Sequence, residues 1–196
     1  VFNQQKQALI IDPGCYFPAE QEKLATFLTD KNLTPVQLIN THCHLDHVFG
    51  NKWVYETYGL LLHIHPLEEK VLSFAPISGE KWGLPFVNYK GPIHFIDEHS
   101  EIKIGDDVLK ILPTPGHSPG SISLYCKAQN FVIAGDVLFY ESIGRTDLPG
   151  GNFETLANSI QTQLYTLPDI TIVYNGHGEP TTVQHEKQCN PYVKAQ

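Results

Sequence analysis

Residues Thr41 to Gly50 read THCHLDHVFG, with three histidines and an aspartate inside the six residues from His42 to His47. Histidine is an indifferent helix former, so this density asks for a chemical reason. The stretch follows VQLIN (Val36 to Asn40), a compact apolar run that reads as a buried strand. His42 and His44 are two apart, so in extended backbone they share a face and can hold one cation together. Asp46 and His47 lie past the turn and suit a second cation.

Three more loops carry residues of the same kind: His117 in TPGHSPGS, Asp136 in IAGD and His177 in YNGHG. Each sits beside Gly or Pro, where backbone can turn and side chains can converge. Seven ligands are too many for one tetrahedral zinc but suit two metals sharing a carboxylate. Asp136, with two oxygens, is the natural bridge. The other histidines read differently. His63 and His65 form another HxH in LLHIHP but lack an acidic partner, and His94, His99 and His185 read as surface or supporting residues. Cys43 faces away from its neighbours by alternation and reads as a packed thiol. Asp12, ending the apolar run ALIID, reads as a hydrogen-bond partner of a ligand histidine or as a turn cap.

ALIID, VQLIN, LLLHIHP, SISLYC, FVIAGD and ITIVYNG read as strands, and EIKIGDDVLKILPT as a hairpin through GDD. PAEQEKLATFLTDKN and NFETLANSIQTQLYTLP read as helices, the second capped by Asn152, and DHVFGNKWVYETYG as a helix from Asp46 stopped by Gly59. TTVQHEK opens a short final helix. Residues 73–92, rich in Gly and Pro, read as a long surface excursion. Strands alternating with helices, some of them in hairpins, predict a mixed-sheet α/β protein.

With 41% hydrophobic residues the chain is globular, and 196 residues suit a single domain, 1–196. Its 13 Lys and Arg against 21 Asp and Glu, net −8, argue against nucleic acid or an anionic membrane as partner. No apolar run reaches the length of a membrane span, and no signal peptide is expected. Four scattered cysteines without CxxC predict reduced thiols and a cytoplasmic location.

THCHLDH, TPGHSPGS, AGD and NGHG, in this order, resemble the metallo-β-lactamase superfamily. The resemblance implies an αββα sandwich, two mixed sheets flanked by helices, with metals at one edge. It also implies an edge strand ahead of VFNQQKQ, outside these residues. It places His42, His44 and His117 on one metal, Asp46, His47 and His177 on the other, and Asp136 between them. Two zinc ions per chain are expected, with iron or manganese as alternatives. Metallo-β-lactamases with two zincs commonly carry Cys at the position of Asp136, so antibiotic hydrolysis is disfavoured.

SIGRTDLPGGNFETL and GHGEPTTVQHEKQCNPYV resemble short glyoxalase II-like hydrolases, which implies a thioester substrate such as a hydroxyacyl glutathione. Arg145 and Asp147 stand where longer forms use Lys and Tyr to bind glutathione. Arg145 then meets a substrate carboxylate or pairs with Asp147. In the expected reaction two metals acidify a shared water that attacks the carbonyl, with Asp46 orienting it. A mononuclear-iron persulfide dioxygenase, a lactonase or other esterase, and a non-catalytic metal binder are the alternatives.

Overall fold

The structure, a computed structural model, describes residues 1–195. Its contacts form two compact units: residues 1–96 with 103–107, and residues 97–102 with those from 108 on.

The first unit runs β1 (Gln7–Ile11), α1 (Pro18–Asp30), β2 (Thr34–Ile39), α2 (Leu45–Val48), α3 (Asn51–Tyr58), β3 (Leu62–Ile64), α4 (Glu68–Lys81) and β4 (Ile93–Phe95). The strands pair in the order β1-β2-β3-β4, each pair parallel, because every connection contains a helix. An antiparallel bridge from Phe2 to Ala8 extends the β1 edge. Leu38, Val48, Val54, Leu62, Ile64, Leu72 and Ala75 share one core. The last residues of β2, Leu38 and Ile39, are fully buried. The histidine loop therefore leaves the carboxyl end of a parallel strand, where open α/β sheets place ligands. The helix expected from Asp46 to Gly59 is interrupted at Gly50, whose N–H donates to the Pro13 carbonyl at 2.7 Å. It ends at Gly59 in left-handed conformation, as the sequence predicts.

Residues 73–92 are not wholly an excursion: α4 runs through residues 73–81 and contains Pro76. Pro76 has no N–H to give the Leu72 carbonyl, so the helix should break there. Asn88 repairs it, because its Nδ2 donates to that carbonyl at 2.7 Å. Leu72, Ala75 and Gly79 keep a buried stripe across the proline.

The second unit takes up β5 (Glu101–Ile104) and β6 (Asp107–Pro113), whose hairpin tip belongs to the first unit. There follow β7 (Ile122–Cys126), β8 (Phe131–Gly135), β9 (Leu138–Phe139), β10 (Ser142–Ile143), α5 (Phe153–Ser159), β11 (Ile172–Asn175), β12 (Thr181–Thr182) and α6 (Val183–Cys189). The sheet order is β12-β11-β8-β7-β6-β5, with β11 parallel to β8 and antiparallel to β12. β9 and β10 form a separate small hairpin. Asn152 caps α5 as the sequence predicts, its side chain accepting from the Thr155 N–H at 2.8 Å. Leu156, Ile160 and Leu164 pack on Val132, Ala134, Leu138 and Val173. Strands flanked by helices in an α/β arrangement match the expected class.

Because Asn88 serves the carbonyl that Pro76 strands, Asn88→Ala is expected to cost about 1 kcal/mol. The same change in a Pro76→Ala background, where the helical bond is restored, should cost much less. Urea unfolding of both pairs measures the difference.

Candidate metal centre

Within the first unit, Asp12 organises the histidine loop. It follows β1 in left-handed backbone (φ 46°), a strained choice for a residue with a side chain. Its carboxylate accepts the Thr41 N–H (2.7 Å), the Thr41 hydroxyl (2.5 Å) and Asn40 Nδ2 (3.2 Å). It also takes His47 Nδ1 at 3.1 Å. Asn40, fully buried, donates to the His47 carbonyl and accepts from Asn51 at 2.7 Å. The Thr41 hydroxyl lies 3.2 Å from His42 Nδ1. The His42 ring stands 4.9 Å from that of His44 and 4.0 Å from that of His47, centre to centre. His47 Nε2 lies 3.8 Å from an oxygen of Asp46.

Glu68, fully buried at the start of α4, accepts the Cys43 N–H at 2.7 Å and so fixes the backbone between His42 and His44. The Cys43 side chain is buried, and its thiol is pushed well up by burial, then by the charges of Glu68 and Asp12.

Within the second unit, His117 donates from Nδ1 to the Arg145 carbonyl at 2.7 Å. A carbonyl only accepts, so Nδ1 carries the proton, and in the neutral ring Nε2 then holds the lone pair. His117 Nε2 and His177 Nε2 lie 3.7 and 3.4 Å from the same oxygen of Asp136. Two glycines permit this arrangement. A Cβ on Gly144 would strike the Asp136 carbonyl and crowd His117 Nδ1, and one on Gly116 (φ 130°) would strike the backbone of Leu156. Asp136 is buried, whereas His177 is more than half exposed.

Two ligands on one tetrahedral zinc lie about 3.4 Å apart, given bonds of about 2.0–2.2 Å. The contacts of Asp46 with His47 and of Asp136 with His117 and His177, at 3.8, 3.7 and 3.4 Å, lie near that spacing. His42, His47 and His117 are each contacted at Nδ1, by hydroxyl, carboxylate and carbonyl respectively, the outer hydrogen bond that metal-binding histidines make. The donor set, imidazole nitrogen and carboxylate oxygen, fits a divalent cation such as zinc. Asp12 lies close enough to His42 and His47 to count with them, but its oxygens are engaged by four groups and it orients rather than ligates.

Arg145 grips Asp147 with both prongs, Nε and Nη2 each at 2.7 Å, and holds that exposed carboxyl down at about 2. His63 lies half-buried with Nδ1 3.0 Å from the Leu38 and Leu61 carbonyls, away from these clusters as its surroundings in sequence imply. Glu68, Thr41, Asn40 and Asn51 were not legible as site residues. Thr41 and Asn40 at least stand next to His42. Glu68 comes 25 residues after the Cys43 it serves, and no local pattern marks it.

Residues 1–177 match the family model described as metallo-beta-lactamase superfamily. The chain belongs to that superfamily. Among its relatives in the metallo-β-lactamase superfamily, the probable metallo-hydrolase YqgX of Bacillus subtilis is 42% identical over 95% of this chain and 87% of its own. The hydroxyacylglutathione hydrolase GloC of Haemophilus influenzae is 35% identical over 100% and 91%. Two crystal structures superpose well. BLEG-1 B3 metallo-beta-lactamase gives a TM-score of 0.89 at 37% identity, covering 98% and 91%. TTHA1623 in a di-iron-bound form gives 0.85 at 34%, covering 93% and 88%. The superfamily assignment supports a metal-dependent hydrolase.

Asp12→Asn keeps the shape of the side chain but weakens its hold on His47 Nδ1. It is expected to lower metal affinity 10- to 100-fold, measured by competition with a chromophoric chelator. With a chelator present, iodoacetamide should alkylate exposed Cys189 and spare Cys43, which has no exposed surface. Peptide mass spectrometry reads the order.

Proposed function

We propose that the protein is a dinuclear zinc hydrolase that cleaves a thioester, such as a hydroxyacyl glutathione, in the cytoplasm. His42, His44 and His117 hold one ion, Asp46, His47 and His177 the other, and Asp136 bridges them within a single domain. What carries the reading is the anchoring of His42, His47 and His117 through Nδ1, which reserves Nε2 of each for a cation. The likeness to GloC supports the thioester, and the likeness to a protein crystallised with two irons supports two ions.

Bound zinc would polarise the substrate carbonyl and acidify water. The residues of this chain do the positioning. Asp46, half-exposed, orients the attacking water and accepts its proton. Asp12 steadies the His47 ring, and the Arg145 carbonyl steadies His117. Arg145 uses Nε and one Nη2 hydrogen on Asp147 and keeps further N–H groups for a substrate carboxylate. Asp147 thereby holds the guanidinium in one orientation.

The likeness to BLEG-1 favours one second reading, attack on a β-lactam amide at the same centre. Metal analysis of purified protein, paired with assays on S-lactoylglutathione, a β-lactam and glutathione persulfide, separates the readings. At least two zincs per chain with thioester turnover is the expected result, and His42→Ala should lower turnover at least about 100-fold. One metal per chain with no thioester turnover after zinc loading would refute the proposal. Oxygen uptake with the persulfide, iron being bound, would replace it with a dioxygenase.

A further inference from the structure

A second cluster of metal-ligating side chains lies within the second unit. Glu141, in the two-residue turn between β9 and β10, faces His185 and Cys189 on α6. His185 and Cys189 are four apart on one helix, so they share a face. One donor atom from each of the three residues lies within 4.8 Å of the others.

Two of the donors, Glu141 and His185, are positioned by their surroundings. Glu141 adopts left-handed backbone (φ 50°), which residues with a Cβ avoid unless something holds them. The holder is the fully buried Glu186, whose two carboxylate oxygens accept the Glu141 N–H at 3.2 and 3.1 Å. Glu186 also accepts from the Thr181 hydroxyl and from Asn190 Nδ2. Asn190 Nδ2 in turn reaches the Ser142 carbonyl of β10 at 3.1 Å. Tyr140 stacks on the His185 ring, 4.8 Å between centres at 14°. Glu141 Oε1 lies 3.1 Å from His185 Nε2, near the separation of about 3.4 Å for two ligands on one tetrahedral zinc.

From this geometry we infer a separate metal site formed by Glu141, His185 and Cys189. Its mixed oxygen, nitrogen and sulfur donors select zinc or a similar borderline divalent cation. Three protein ligands leave one position for water. The ion clips the β9–β10 hairpin to α6. That hairpin leads into Gly144 and Arg145, whose carbonyl holds His117, so the clip steadies a residue that the proposed function makes a ligand of the first centre.

Cobalt(II) is the probe. The seven residues of the first centre include no cysteine, so a thiolate-to-cobalt charge-transfer band in the near ultraviolet reports a sulfur ligand. The band should appear in the wild type, together with one cobalt per chain beyond those of the first centre. Cys189→Ser and His185→Ala should each lose the band and that one equivalent. His42→Ala should keep it, which separates this site from the proposed hydrolytic one. Zinc should also shield Cys189 from iodoacetamide in the wild type and not in His185→Ala. Absence of the band in folded wild type, or its persistence in Cys189→Ser, would overturn the inference.

Discussion

The Asp12 carboxylate is the fixed point of the histidine loop. Backbone N–H, hydroxyl, amide and imidazole all converge on its two oxygens. Cys43 and Val48 anchor the loop in the core, but most of its other side chains are polar and its helix is four residues long, so apolar packing alone does not set its shape. Buried polar groups must be paired, and here the pairing itself defines the conformation. Asn40 extends the network to Asn51, and Glu68 pins the loop at Cys43 from the opposite side in sequence. The parallel sheet supplies the platform: β1 ends just before Asp12 and β2 just before Asn40, with Ile11 paired to Ile39, so adjacent strands finish together.

The second unit solves the same problem with backbone. His117 is held by a carbonyl rather than a carboxylate, and the carbonyl reaches it because Gly144 has no side chain. A carbonyl orients an imidazole without adding a full charge. A carboxylate adds one and makes the ring a stronger donor. His47 and His117 are therefore held at Nδ1 by groups of different charge.

Much of this was legible in the sequence because ligand chemistry is concentrated there. Four ligand-type residues in six, each further one beside Gly or Pro, mark the loops, and the apolar runs mark the strands that lead to them. Two-residue strands such as β9 and β10 bury too little to leave a pattern. Helix α4 was hidden by Pro76, and its repair by Asn88 lies twelve residues further on, a tertiary fact that no local rule contains. Glu68 was invisible for the same reason: its partner is a backbone N–H, which every residue but proline has. The sequence allows Arg145 two fates, substrate or Asp147. The structure shows the second, in a geometry that leaves donors for the first.

The placement of Cys43 has a consequence for metal choice. It stands between two histidines, where a thiolate would be a strong soft ligand. Alternation turns its side chain into the core, the Glu68 bond to its N–H keeps the backbone from rotating, and burial beside Glu68 and Asp12 keeps the thiol protonated. The loop thus offers only imidazole and carboxylate. Such a set discriminates weakly among zinc, iron and manganese, so the ion held there follows supply more than affinity. The Glu141, His185 and Cys189 cluster offers sulfur as well, and sulfur moves its preference toward zinc and away from manganese. One small fold then carries two donor sets of different softness, kept apart by which cysteine faces inward.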